Sequence, residues 1–333
     1  MQRLLRIRGV ETISKFPLAE SIDQGVRWLQ INFGDSVDAF SDAFNSGIAG
    51  FRDLLMVVPW WTIIIIFAVL AWRASGWKLA IGTVIGLFFI YNLGLWLPFL
   101  DTLILVIISA LVSIVIGLPL GILAGRNNRF HYVISPVLDV MQTMPSFVYL
   151  IPALLFFGIG KVPAVFATVI FAMPPVIRLT DLGIRQVPVE LVEVGSAFGS
   201  TPRQLLWKIQ FPVALPTIMA GVNQTMMLSL SMVVIAAMIG AGGLGAGVLE
   251  AIGQLKIGMG FEYGVAVVIM AIILDRLSQG VGRSVKRVSQ KRDVKAKRAW
   301  QRLDDRLKQS LKSIENKHRR VMMRYKENGG KQK

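Results

Sequence analysis

Leu103-Ile-Leu-Val-Ile-Ile-Ser-Ala-Leu-Val-Ser-Ile-Val-Ile116 contains no charged side chain, and its only polar groups are the hydroxyls of Ser109 and Ser113. A backbone crossing hydrocarbon has no water to bond to, so a run of this kind is stable there only as a helix that satisfies its own N–H and C=O groups. Trp60 to Ala71 and Leu79 to Ile90 read the same way. Of the 333 residues, 54% are hydrophobic and only 17% charged, too few charges for a domain that must cover itself in water. The sequence therefore predicts an all-α, polytopic helical membrane protein.

With about 20 apolar residues needed per crossing, about seven transmembrane helices are expected, near 54–72, 78–98, 101–124, 135–159, 162–180, 213–239 and 261–281. The fourth is irregular. Pro136, Pro145 and Pro152 interrupt it and predict kinks whose freed carbonyls need other partners, and Asp139 and Gln142 are polar. Before the first span, Leu18, Ile22, Val26, Leu29 and Phe33, then Val37, Phe40, Phe44, Ile48, Phe51 and Leu55, recur every three or four residues. They predict two amphipathic helices, acting as an interfacial anchor or docking a partner.

Charge sets the orientation. Residues 284–333 carry 18 Lys and Arg against 5 Asp and Glu, which is +13 of the net +16, so this is a local basic tail and not a nucleic-acid-binding fold. Arg73, Lys78, Arg126, Arg129, Arg178, Arg185, Arg203 and Lys208 fall in or beside alternate connections, whereas the other connections hold only Lys161 and Lys256. The positive-inside rule then places the C-terminus in the cytosol and the N-terminus outside. Three regions follow: an external amphipathic segment at 1–53, a transmembrane domain at 54–283, and a basic cytosolic tail at 284–333. In the tail, Trp300, Leu303, Leu307, Leu311 and Ile314 have the spacing of a cationic amphipathic helix that would meet membrane lipids, or of a solvated face.

Several chemistries lose support. Cysteine is absent, and neither His131 nor His318 has a neighbour at ligand spacing, so neither a metal site nor a catalytic triad is expected. No G-x-x-x-x-G-K-[ST] phosphate loop is present, so the chain is not expected to hydrolyse ATP and needs no cofactor of its own. Gly240, Gly242 and Gly245 fit G-x-G-x-x-G but follow an apolar helix and not a strand, which makes them turn chemistry, or the lead into a short helix at Val248. Gly117, Gly121 and Gly125, spaced by four, predict a smooth stripe for close helix packing, within the subunit or across a dimer.

The connection at about 179–212 is too long for a plain turn. Pro188 precedes a helical stretch from Val189 to Phe198, Gly199 ends it, and Ser200 is placed to cap a second helix with Pro202 in its first turn. The unit would face the cytosol and is suited to receiving a partner that supplies force.

Glu193-Val194-Gly195, three residues, Gly199, nine residues, Ile209, one residue, then Phe211-Pro212 resembles the Glu-Ala-Ala loop of the membrane subunits of binding-protein-dependent ATP-binding-cassette (ABC) importers. Glu193, Gly199, Ile209 and Pro212 match that pattern, while Val194, Gly195 and Phe211 depart from it. Met141 to Leu150, Met173 to Arg178 and Gly221 to Thr225 are similar to the glycine-betaine/proline-betaine branch of the family. The resemblance covers about residues 50–283. It implies a type I ABC importer permease fold and ATP-driven import of an osmoprotectant across a bacterial inner membrane. It also implies a homodimer, two cytosolic ATPase subunits that bind the ATP and magnesium, an external substrate-binding protein, and no nucleic acid. Glu193, Gly195, Gly199, Ile209 and Pro212 would then form the ATPase-coupling loop.

Polar residues at membrane depth must face helices or a cavity, because each unsatisfied group costs several kcal/mol. Asn223, Gln224 and Ser229 of the sixth span, with Met144, Phe147 and Tyr149 of the fourth, are candidates for a translocation path that receives a quaternary ammonium on aromatic faces; hydrogen bonding between helices is the other reading. Arg178 and the neighbouring pair Asp275 and Arg276 lie near span ends, as snorkelling groups or structural ion pairs. Other small solutes (choline, carnitine, an amino acid) or an ion-coupled carrier are the alternative functions. A carrier would place ionisable groups at mid-span, where only Asp139 stands.

Overall fold

The computed structural model describes residues 18–280. The basic tail and the first 17 residues lie outside them.

The chain opens with one helix, α1 (Leu18–Val57), where two are expected. The reason is phase: Phe33 to Val37 is a step of four, so the apolar stripe continues in register past Gly34 and nothing breaks the backbone. Its second half is not a free anchor, since Ile48 is buried and Phe44 and Leu55 pack on the core. Arg52 pairs with Asp101 at 3.1 Å, and Lys161 reaches the same carboxylate at 3.0 Å. A break at Val58-Pro59 then turns the chain by 97° into α2 (Trp60–Ser75). Gly76, at φ +97°, reverses it into α3 (Trp77–Asn92), and Trp60 stacks on Tyr91 across this hairpin at 4.3 Å.

The centre is α4 (Trp96–Arg126), α7 (Lys161–Ala172), α8 (Pro174–Arg185) and α11 (Phe211–Ile235). The expected glycine stripe lies between α4 and α8 of the same chain. A Cβ on Gly121 would stand 2.6 Å from Thr180 Cβ and 2.8 Å from the Ile177 carbonyl, and one on Gly125 2.9 Å from Ile184. Only glycine lets the two backbones run this close.

The irregular span is two helices, α5 (Asn128–Thr143) and α6 (Leu150–Phe157), bent by 110° around a 3-10 turn at Ser146–Tyr149. Pro145 explains the break, because it drives Met144 to an extended conformation (ψ 133°) and has no N–H to give the carbonyl of Met141. The Tyr149 hydroxyl donates to that carbonyl instead, which supplies the partner that a kink requires.

After α11, Gly240 and Gly242 adopt positive φ, and α12 (Gly243–Gly253) begins earlier than Val248. The start is fixed from outside: Thr102 on α4 accepts from the Leu244 N–H at 2.7 Å, taking the place of a local cap. The last described helix is α13 (Ile257–Gly280), against which Gly86 of α3 sits, 2.7 Å from an added Cβ to Ile269.

All seven expected spans are helical, but they are not alike. Four helical segments, 96–126, 161–185, 202–239 and 257–280, are long and apolar enough to cross a membrane, and counting each bent pair as one span gives six. The expected second span is α3, whose 16 residues make about 24 Å of helix, short of a ~30 Å hydrocarbon core.

Candidate functional site

Two features stand out, a helix–turn–helix unit at one end of the central helices and a polar cavity beside them.

The unit begins at Pro188, whose fixed φ starts α9 (Val189–Ala197). Its end is a complete left-handed cap. Gly199 takes φ +74°, its N–H bonds to the Ser196 carbonyl at 2.9 Å, and the Ser200 N–H bonds to that of Gly195 at 3.1 Å. Ser200 is thus used in closing the first helix, and the second is capped one residue later than expected. The Thr201 hydroxyl accepts from Gln204 N–H at 3.3 Å, while the Gln204 side chain accepts from Thr201 N–H at 2.9 Å. That second helix, α10 (Pro202–Leu205), does not stop before the next span. It passes through a π turn at Leu206–Gln210 straight into α11, which absorbs the missing N–H of Pro212.

The spacing of Gly195 and Ile209 has a physical basis here. A Cβ on Gly195 would lie 2.5 Å from Ile209 Cδ1 and 2.9 Å from Leu205 Cδ1, so the two helices close on the absent side chain. Leu206 roots the unit in a cluster with Ile184, Ala214 and Ile218, against which Leu118, Ile122 and Phe211 pack. The outer surface is different: Leu191, Val194 and Phe198 form an exposed apolar stripe, with Phe198 86% exposed, and Glu190 and Glu193 are exposed beside it.

Above the unit, α8 and α5 are tied by charge. Asp181, only 9% exposed, takes His131 Nδ1 at 2.7 Å and Arg185 Nε at 2.7 Å. Arg185 also donates to the Ala124 carbonyl and to Asn128, each at 2.6 Å. Further along the same two helices, Arg178 pairs with Asp139, so it is a structural ion pair and not a snorkelling group. Asp275 does not pair with its neighbour Arg276, because adjacent helix positions point about 100° apart, and it takes Gln279 one turn on.

Next to the Asp139–Arg178 pair opens a cavity of about 760 Å³, walled by α5, α7, α8, α11 and α13, with Gln142, Phe171, Asn223, Gln224, Asp275 and Gln279 on its surface. Asn223 and Gln224 both line this cavity. Met144, Phe147, Tyr149 and Ser229 stand elsewhere: Tyr149 is buried against Phe171, Met144 packs on the core, Phe147 is exposed outside the cavity wall, and the buried Ser229 hydroxyl has no bonding partner. The sequence reading missed Tyr149 as the partner of Met141, the charge links of Asp101 and Asp181, and Asp275 as a cavity residue.

Residues 117–287, which include both features, match the family described as binding-protein-dependent transport system inner membrane component. The chain belongs to that family. It is 50% identical over 272 residues to the glycine betaine transport system permease protein OpuAB of Bacillus subtilis (strain 168), covering 82% of this chain and 96% of that one. It is also 50% identical over 267 residues to the glycine betaine/proline betaine transport system permease protein ProW of Escherichia coli (strain K12), covering 80% and 75%. The solved inward-facing MetNI methionine ABC transporter (native crystal form) shares the fold at TM-score 0.54 and 23% identity, over 57% of this chain and 95% of that chain. The protein is accordingly a multi-pass inner-membrane permease subunit of an ABC transporter, with ATP bound by an ATPase partner and substrate delivered by a binding protein.

Proposed function

We propose that this permease imports glycine betaine, proline betaine or a closely related compatible solute, and that α9 and α10 are its coupling element. The observation that carries the coupling role is the exposed stripe of Leu191, Val194 and Phe198, flanked by Glu190 and Glu193, on a unit whose inner side is locked by Gly195 against Ile209. An apolar helix face of this size is the kind that seats in a partner's groove, and the acidic pair offers charge to a basic rim. Push on the unit would pass through Leu206 and Ile184 into α8 and, along the continuous backbone, into α11. The substrate class rests on the relatives at 50% identity, which are named for these solutes.

The arrangement fits a homodimer, since the cavity is open on one side and a single copy does not enclose a path. It fits a cytosolic unit and C-terminus, with the N-terminus outside, because Arg126, Arg129, Arg185, Arg203 and Lys208 gather at the unit's end of the bundle. The test is reconstitution in liposomes. Permease, ATPase and binding protein together are expected to accumulate glycine betaine only with ATP, and accumulation by the permease alone without ATP overturns the proposal. In the complete transporter, Glu193→Lys is expected to lower solute-coupled ATP hydrolysis with membrane expression intact, because a like charge at a docking surface costs about several kcal/mol. Undiminished coupling would remove Glu193 from the contact.

A further inference from the structure

The aspartates on and beside the central helices fall into two kinds. Asp101 meets Arg52 and Lys161, Asp139 meets Arg178, and Asp181 meets Arg185 and His131. Asp275 has no basic partner among the described residues. Gln279 holds it, with the amide nitrogen 2.8 and 2.9 Å from its two oxygens. The amide orients the carboxylate and leaves it without a counter-charge among the described residues, on the wall of a cavity where the positive group of a ligand would supply one.

The surroundings define what would supply the missing charge. The cavity that Asp275 lines also carries the ring of Phe171 and the amides of Gln142, Asn223 and Gln224, and its volume of about 760 Å³ admits a small solute with water. The Asn223 Oδ1 atom is buried and has no bonding partner. A quaternary ammonium group has no N–H to donate. It is recognised by negative charge and by aromatic or apolar surface, both of which this wall provides. Side-chain amides on α5 and α11 could donate to a carboxylate at the other end of the same molecule.

We propose that Asp275 is the counter-charge for the quaternary ammonium group of a zwitterionic solute in transit, with Gln279 as its positioning residue. This rests on the import function proposed above. Asp139 does not serve, because Arg178 already neutralises it one helical turn from the cavity residue Gln142.

The experiment uses the complete transporter in proteoliposomes, with wild type, Asp275→Asn and Asp275→Glu compared for glycine betaine accumulated per ATP hydrolysed. The asparagine variant is expected to fall about tenfold or more, the scale of losing one charged contact, and glutamate to recover much of it. Wild-type accumulation matched by the asparagine variant overturns this inference and leaves the import function standing, whereas no wild-type accumulation overturns the import function itself. Should the asparagine variant fail to assemble, the wild-type complex is photolabelled with a diazirine-bearing trimethylammonium probe. Labelling of peptides containing Gln142, Asn223 or Asp275 that glycine betaine displaces supports the assignment, and labelling confined to other segments refutes it.

Discussion

The seam between α4 and α8 and the cavity wall made by α5, α11 and α13 are neighbours built on opposite principles. In the seam, Gly117, Gly121 and Gly125 remove side chains so that two helices touch closely along several turns. At the cavity, which begins just before the proline break of α5, amides and one carboxylate stand among apolar side chains around open space. Close packing resists change, whereas an open polar wall tolerates it and can bind. The difference teaches where this permease is closed and where it leaves room.

The largest effect should come from filling the seam. Gly121→Val places new carbons on Thr180 and on the Ile177 carbonyl, and backbone cannot retreat as the end of a flexible side chain can. A cost of about 3 kcal/mol or more is expected, with loss of folded protein in fluorescence-detected size exclusion. Ala220→Val, on the cavity wall, is the matched control and should leave the melting temperature within a few degrees of wild type. Equal damage from both would erase the distinction between packed seam and open wall.

A smaller effect is expected where the two regions join. Asp181 on α8 holds His131 on α5 and Arg185, and Arg185 in turn reaches the turn between α4 and α5. Asp181→Ala strips Arg185 of its carboxylate and His131 of its bonding partner. With Arg185 and His131 each about one third exposed, part of the loss is screened, so about 2 kcal/mol is expected and not the full cost of a buried orphan charge. Thermal unfolding in detergent checks this. An unchanged midpoint would mean that Asn128 and the Ala124 carbonyl hold Arg185 unaided.

Legibility in the sequence follows the same divide. The seam could be read because a step of four on an apolar run is itself a geometric statement about one helix face. So could the helix–turn–helix unit, where Pro188 and Gly199 punctuate the chain and the interval from Gly195 to Ile209 sets which faces meet. The single helix α1 was legible too, had the four-residue step at Phe33 been followed through Gly34. What could not be read depends on tertiary approach. Lys161 finds Asp101 and His131 finds Asp181 from 60 and 50 residues away. The cavity draws on five helices, and Asp275 looked like half of a pair with Arg276 only because they are adjacent in the chain.

Tyr149 is the case that lies between, and its substitution gives the smallest of the expected effects. A partial signal existed: Met141 stands four residues before Pro145, so its carbonyl must lose the N–H that a helix would have supplied. Which group replaces it depends on the 110° bend, which turns the chain so that the Tyr149 hydroxyl comes back onto the carbonyl it has left behind. Tyr149→Phe keeps the ring on Phe171 and removes only this bond. The cost should be about 1 kcal/mol, the net worth of one hydrogen bond. It should also be local, because the bend itself is set by Pro145 and not by the tyrosine. Hydrogen exchange is therefore the sharper measurement: faster exchange in peptides spanning 141–150, with those of the α4–α8 seam unchanged, is the expected result. Exchange that rises in the seam as well would show the bent pair α5–α6 and the α4–α8 seam to be one cooperative unit.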